Sequence, residues 1–251
     1  MNALILSSII FVLMLGGIIA GALLRGALPQ HHLSKDSQDT VRLGVGLIAT
    51  MSALVVGLLI AAAKTSYDTQ SGQIKQITSD IILLDNLLAQ YGPEAQPIRE
   101  QMRIAIPAFA DRIWQEKETN RAGPYETNAD AERVYLALQA LSPQNDLQRS
   151  LQVRAVQLSN DLSQARLLLF TETGTSIPLP FIGVLAFWLI IIFASFSLFS
   201  DLNPTVFVAL SVFALSASCA IFLIVELSEP FAGIMMISSA PLRGALAPLG
   251  H

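Results

Sequence analysis

Residues 36–76 read DSQDTVRLGVGLIATMSALVVGLLIAAAKTSYDTQSGQIKQ. The run from Leu43 to Ala63 carries no charge. As a helix it is about 30 Å long, one bilayer hydrocarbon thickness. Asp36 or Ser37 is placed to cap it, and Asp39 in the first turn suits the positive helix end. Beyond Lys64 the chain becomes polar, so the stretch reads as a membrane helix feeding a water-exposed helical region. Steps of three and four residues from Arg42 give Gly46, Thr50, Ala53, Gly57, Ala61 and Lys64. This face is small or weakly polar throughout, with a cation at each end. The other faces carry Leu43, Leu47, Ile48, Leu54, Val55, Leu58 and Leu59. Two readings stay open. Small residues let membrane helices approach closely, which makes a packing seam. A narrow conduit also needs small side chains, and cations at its mouths favour anions, which makes a pore lining.

Three more uncharged windows extend this reading to the whole chain. Ala3 to Leu24 is long enough to span. A cleaved signal peptide competes there, but nothing basic precedes the run and its core is too long. Gly16, Gly17 and Gly21 supply small-residue spacing on this first helix. Residues 177–200 and 205–225 form a helical pair around the short connection Asp201-Leu202-Asn203-Pro204, with Phe181, Phe187, Trp188 and Phe193 available to lipid. Pro178 and Pro180 fit an interfacial entry better than a helix interior.

Between these pairs, charge returns to ordinary density. Ile74, Ile77, Ile81, Leu84 and Leu88 predict an amphipathic helix ending near Tyr91, stopped by Gly92-Pro93. Ile98, Met102, Ile106, Phe109 and Ile113 predict a second, bent at Pro107. A loop spans residues 120–128 and a third helix residues 130–141. Ser142-Pro143 reads as the cap of a long fourth helix. No window alternates with period two, so the fold class is all-α: a polytopic membrane protein with four transmembrane helices and a helical soluble domain inserted between the second and third. The expected divisions are 1–64, 65–175, 176–227 and an interfacial or re-entrant segment at 228–251. In that last segment Met235, Met236 and Ile237 would lie on the apolar side.

Composition bounds the chemistry. Of 251 residues, 53% are hydrophobic and only 14% charged, and the net charge is −4. A nucleic-acid binder needs a basic face, so that class is excluded. The single cysteine, Cys219, rules out an internal disulfide and a cysteine-based zinc site, and reads as a small packing residue in a span. No HExxH, GxSxG, phosphate loop or dinucleotide fingerprint occurs, and no charged residue sits inside a span, so no enzyme, catalytic residue, metal site or cofactor is expected. Candidate pH-sensing or gating residues are His31, His32, Glu226 and Glu229. Histidine titrates near physiological pH, and the glutamates close the last span before Pro230. The expected partners are the lipid bilayer, further copies of the chain and an inorganic anion. Positive charges near the spans are too evenly divided to orient the protein.

Four motifs carry a resemblance. They are LPQHHLSKDSQDTVRLGVGLIATMSALVVGLLIAAAKTSYDTQ (residues 28–70), YGPEA (91–95), DRIW (111–114) and ELSEPFAGIMMISSAPLRGALAPLG (226–250). The sequence resembles the bacterial bestrophin-like membrane protein family, distantly similar to the oligomeric bestrophin anion channels. That resemblance implies four spans in the bacterial inner membrane, with both termini and the helical domain in the cytoplasm. It also implies a homo-oligomeric chloride or other anion channel. The alternative is a non-conducting scaffold or sensor whose helical domain binds a partner. The second helix departs from the bestrophin pattern by lacking aromatic residues for a constriction, so conduction follows by analogy of fold.

Overall fold

A computed structural model describes residues 2–29, 34–115, 128–172, 178–200 and 203–245. The described residues form eight α-helices and no strand. They are α1 (Ala3–Ala27), α2 (Lys35–Tyr91), α3 (Gln96–Gln115), α4 (Asn128–Ala140), α5 (Asp146–Glu172), α6 (Leu179–Leu198), α7 (Pro204–Leu227) and the short α8 (Ala240–Gly244). Four of them, α1, α2, α6 and α7, are long and apolar enough to cross a membrane. The chain divides into two compact units, Met1–Tyr67 with Ser176–Glu229, and Asp68–Thr175 with Pro230–His251.

The expected second span and the amphipathic helix after it are one helix. α2 runs for 57 residues through Lys64 without a break. No glycine–proline pair interrupts residues 60–80, and propagation adds a hydrogen bond per residue without a new nucleation cost. Its cap is Ser34, not Asp36 or Ser37: the Ser37 N–H donates to Ser34 Oγ at 3.4 Å. Gly92, at φ 125°, ends it in a conformation that other residues rarely adopt. The cap of α5 also differs from expectation. Asn145 Oδ1 accepts the Gln148 N–H at 2.8 Å, and Gln148 Oε1 accepts the Gln144 N–H at 2.7 Å. Ser142 and Pro143 stay outside the helix.

In the first unit, α1 packs on α6 and α7. Water-driven burial does not operate between helices in lipid, so close approach and hydrogen bonds must hold them. Both are present. A Cβ on Gly21 would fall onto the Ala194 carbonyl oxygen of α6, and one on Gly17 would lie 3.1 Å from that of Ile190. Ser218 of α7 donates a buried hydrogen bond to the Ser7 carbonyl at 2.7 Å. Ile10, Met14, Ile18, Ile182, Leu185, Phe193, Leu210, Ala214 and Ile221 fill the core. Phe181 and Phe187 are exposed as expected, but Phe193 is buried. Cys219 is exposed and does not pack inside the chain. The Asp201-Leu202 part of the expected turn lies outside the described residues.

The second unit buries Ile74, Ile77, Ile81, Leu84 and Leu88 of α2 with Ile98, Met102, Ile106 and Phe109 of α3. α3 continues through Pro107 from Gln96 to Gln115. Val134 and Leu138 of α4, Leu169 of α5 and Leu242 of α8 join the same core. The expected 120–128 loop falls, save for its last residue, outside the described residues.

Candidate functional site

The faces of α2 can be assigned from burial, at about 100° per residue. Val45, Ser52 and Ala63 are buried, with Val56 and Leu59 half-buried, which defines one face. Leu43, Leu47, Met51, Leu54 and Leu58 are exposed and form a second face. Arg42, Gly46, Thr50, Ala53, Gly57, Ala61 and Lys64 are also all exposed and form a third. The small stripe is centred about 90° from the exposed leucines and about 120° from the buried face. Only 11% of the apolar stretch of α2 is buried by its own chain, against 33% in each of the other three membrane-length helices.

The stripe is open space. A Cβ added at Gly46 or Gly57 would meet nothing within 4 Å. From Arg42 to Lys64 it runs about 33 Å, again one hydrocarbon thickness. Its polar content is more committed than the sequence implied. Thr50 donates its hydroxyl proton to the Leu47 carbonyl at 2.8 Å, so it does not present that proton outward. Arg42 Nη1 lies 3.7 Å from Asp39 Oδ1, and both side chains are well exposed. Lys64 Nζ lies 5.5 Å from the Tyr67 ring centroid. A cation over an aromatic face is held by the ring quadrupole, which positions Lys64 at the end of the stripe.

Of the candidate gating residues, His31 and His32 lie outside the described residues. Glu226 is buried in the last turn of α7 and Glu229 is half-buried in the turn that follows. The Glu229 N–H donates to the Glu226 carbonyl at 3.3 Å, and both residues make further polar interactions. They belong to the turn that ends α7, not to the stripe. Among the described residues, no three His, Cys, Asp or Glu side chains gather as metal ligands.

The second unit holds two carboxylates that the sequence reading passed over. Asp85 takes two bonds from Arg99, Nε to Oδ1 at 2.6 Å and Nη2 to Oδ2 at 3.0 Å. Both side chains are almost fully buried. The Asp85 hydrogen bond holds the guanidinium above its already high pKa. Asp80 is buried and its carboxyl is pushed up, first by desolvation and then by the charge of Asp161, against a 2.8 Å bond from Gln76 Nε2. Both fall within or beside the Ile77–Ile81–Leu84–Leu88 face. A carboxylate on the apolar side of an amphipathic helix was the available signal, since buried charges require partners.

Comparison with known proteins agrees with this architecture. The model of the bestrophin-like domain matches residues 12–242. A crystal structure of a bacterial bestrophin homolog from Klebsiella pneumoniae, a point mutant, aligns with a TM-score of 0.71 at 14% identity over 96% of each chain. Another mutant of a Klebsiella pneumoniae bestrophin homolog aligns with a TM-score of 0.67 at 16% identity, over 99% of this chain and 96% of that one. A crystal structure described as a membrane protein gives 0.69 at 12% identity, over 96% and 97%. No curated protein sequence matches. At these identities the solved structures speak for the fold. The family match spans most of the chain, so this multi-pass membrane protein belongs to the bestrophin-like family.

Proposed function

We propose that this protein is a homo-oligomeric anion channel in the bacterial inner membrane, with the small stripe of α2 facing the conduction path. In this reading the second unit is a cytoplasmic domain inserted between the second and third spans. One observation carries the proposal: the apolar stretch of α2 is 11% buried by its own chain where its companions are 33% buried. A helix so uncovered has two faces left for neighbours. The exposed Leu43, Leu47, Leu54 and Leu58 face suits lipid or an adjacent copy. The Gly46, Thr50, Ala53, Gly57 and Ala61 face is too small and too weakly apolar to be a good lipid surface, and open space over its glycines suits a lumen. Membership of a family whose solved relatives are bestrophin homologues supports the same reading, since bestrophins are anion channels.

The preference for anions rests on Arg42 and Lys64. The Thr50 proton is taken by Leu47, so the middle of the stripe has little to offer an anion beyond small size. The Arg42–Asp39 pair is exposed, and such pairs contribute about 0–1 kcal/mol, so Asp39 weakens the Arg42 field only in part.

The test is chloride flux into liposomes containing the purified oligomer. Flux above that of empty vesicles, abolished by Gly57→Trp, is expected. Flux equal to empty vesicles with the oligomer intact would overturn the channel. Reproducible crosslinks from the second unit to a different protein would then favour a non-conducting scaffold.

A further inference from the structure

The turn after α7 opens the C-terminal part of the second unit and carries exposed apolar side chains. α7 ends at Leu227, and Pro230 forbids a simple continuation. The Ile237 N–H then donates to the Pro230 carbonyl at 2.7 Å, closing residues 230–237 into a loop. The base of this loop is fixed. The Trp114 indole N–H donates to the Ile237 carbonyl at 2.8 Å, and Phe231 meets the Trp114 ring edge-on at 5.8 Å between centroids. Downstream, Arg243 pairs with Asp111 at 2.5 Å, and Leu242 and Ala245 are buried in the second unit's core. Gly233, at φ 90°, turns the tip.

The tip itself carries Ile234, Met235 and Met236, exposed by 72%, 41% and 56%. Tight turns in water are normally built from Gly, Asn, Asp, Ser and Pro. Three consecutive large apolar side chains on a turn this firmly anchored are a surface made for an apolar environment. The sequence placed Ile237 on that apolar side with Met235 and Met236. The structure separates them: Ile237 is buried at the base, and Ile234 takes its place at the tip.

We propose that Ile234, Met235 and Met236 form a finger that inserts into the bilayer interface. The occupant is lipid for two reasons. The tip is continuous with a membrane-length helix: six residues, 228–233, separate Leu227 from Ile234. The seven steps from Leu227 to Ile234 reach at most about 25 Å, and the loop closure at Pro230 shortens that. The segment from Pro230 to Leu242 also carries no charge, while Arg243 follows at once. Apolar residues ending in a cation are the pattern of an interfacial segment, which seats about 5–10 Å into the headgroup and acyl boundary. This inference requires only that α7 spans the membrane, and it stands whether or not the protein conducts.

The experiment uses the full chain with Cys219→Ser, carrying a nitroxide at Met235→Cys, in phosphatidylethanolamine–phosphatidylglycerol vesicles. Collisions with oxygen report lipid and collisions with a water-soluble nickel chelate report solvent. The exposed Ile104→Cys on α3, labelled in the same way, is the control. Oxygen dominance at 235, reversed at 104, is the expected result. Nickel dominance at both positions overturns the proposal. Low accessibility to both reagents with spin–spin broadening also overturns it, because a second copy then covers the tip. Met235 is exposed, so its replacement leaves the core intact, and an unchanged Trp114 emission spectrum in a Trp188→Phe background checks the base of the loop.

Discussion

Two glycine stripes in the first unit look alike in sequence and differ completely in structure. On α1, Gly17 and Gly21 are small because α6 lies against them, and a Cβ on Gly21 would strike the Ala194 carbonyl oxygen. On α2, Gly46 and Gly57 face open space, and no neighbour among the described residues accounts for their size. The first stripe is satisfied by folding. The second has no covering atoms among the described residues. Small residues at helical spacing are thus an ambiguous signal until the covering atoms are known.

Substitutions can break or sharpen this contrast. Gly21→Leu should give the largest effect, because the side chain has no room and overpacking costs about 1–3 kcal/mol or more. Its thermal unfolding midpoint in detergent should fall by many degrees, whereas Gly57→Leu should not lower the midpoint of the dissociated monomer. Equal losses at both positions would erase the distinction. Gly57→Trp should reduce chloride flux to the background of empty vesicles while the oligomer still elutes at wild-type size. Lys64→Glu should then move the reversal potential toward cation preference, and an unchanged potential would make Lys64 an interface anchor only. The alanine pair is subtler. Gly57→Ala should stabilise the monomer by about 0.5–1 kcal/mol through helix propensity, while Gly21→Ala should destabilise it. Asp39→Asn should give the smallest change, a rise in anion preference worth under about 1 kcal/mol that fades at high salt.

Much of the architecture was legible in the residues. The four spans follow from length and lack of charge, and the face carrying Ile74, Ile77, Ile81, Leu84 and Leu88 from a 3.6-residue period. Cap positions were less so. Ser34, Asp36 and Ser37 are all capping types within four residues, and the choice depends on where the incoming chain turns. The partner of the Gly17–Gly21 seam was not legible, because spacing says that something packs there and not which helix. Nor was the fate of the Thr50 proton, since a threonine within a helix can turn its hydroxyl back to a preceding carbonyl or outward. The grouping of Arg42 to Lys64 on one face came directly from periodicity. That this face is uncovered needed three dimensions.

The unbroken length of α2 has a consequence for insertions and deletions. Val45, Ser52, Ala63 and Gln70 are buried, and the same three-and-four spacing continues through Ile74, Ile77, Ile81, Leu84 and Leu88. No loop lies between Lys64 and Ile74 to absorb a change in count. Adding or removing one residue there would shift the helical phase of the neighbouring residues by about 100°. The polar segment around Thr69 and Ser71 resembles a linker in composition, yet it is helix throughout, so a change in length there should disturb more than a substitution. In this helix the number of residues is itself a structural parameter: it sets which residues share a face along its 57-residue length.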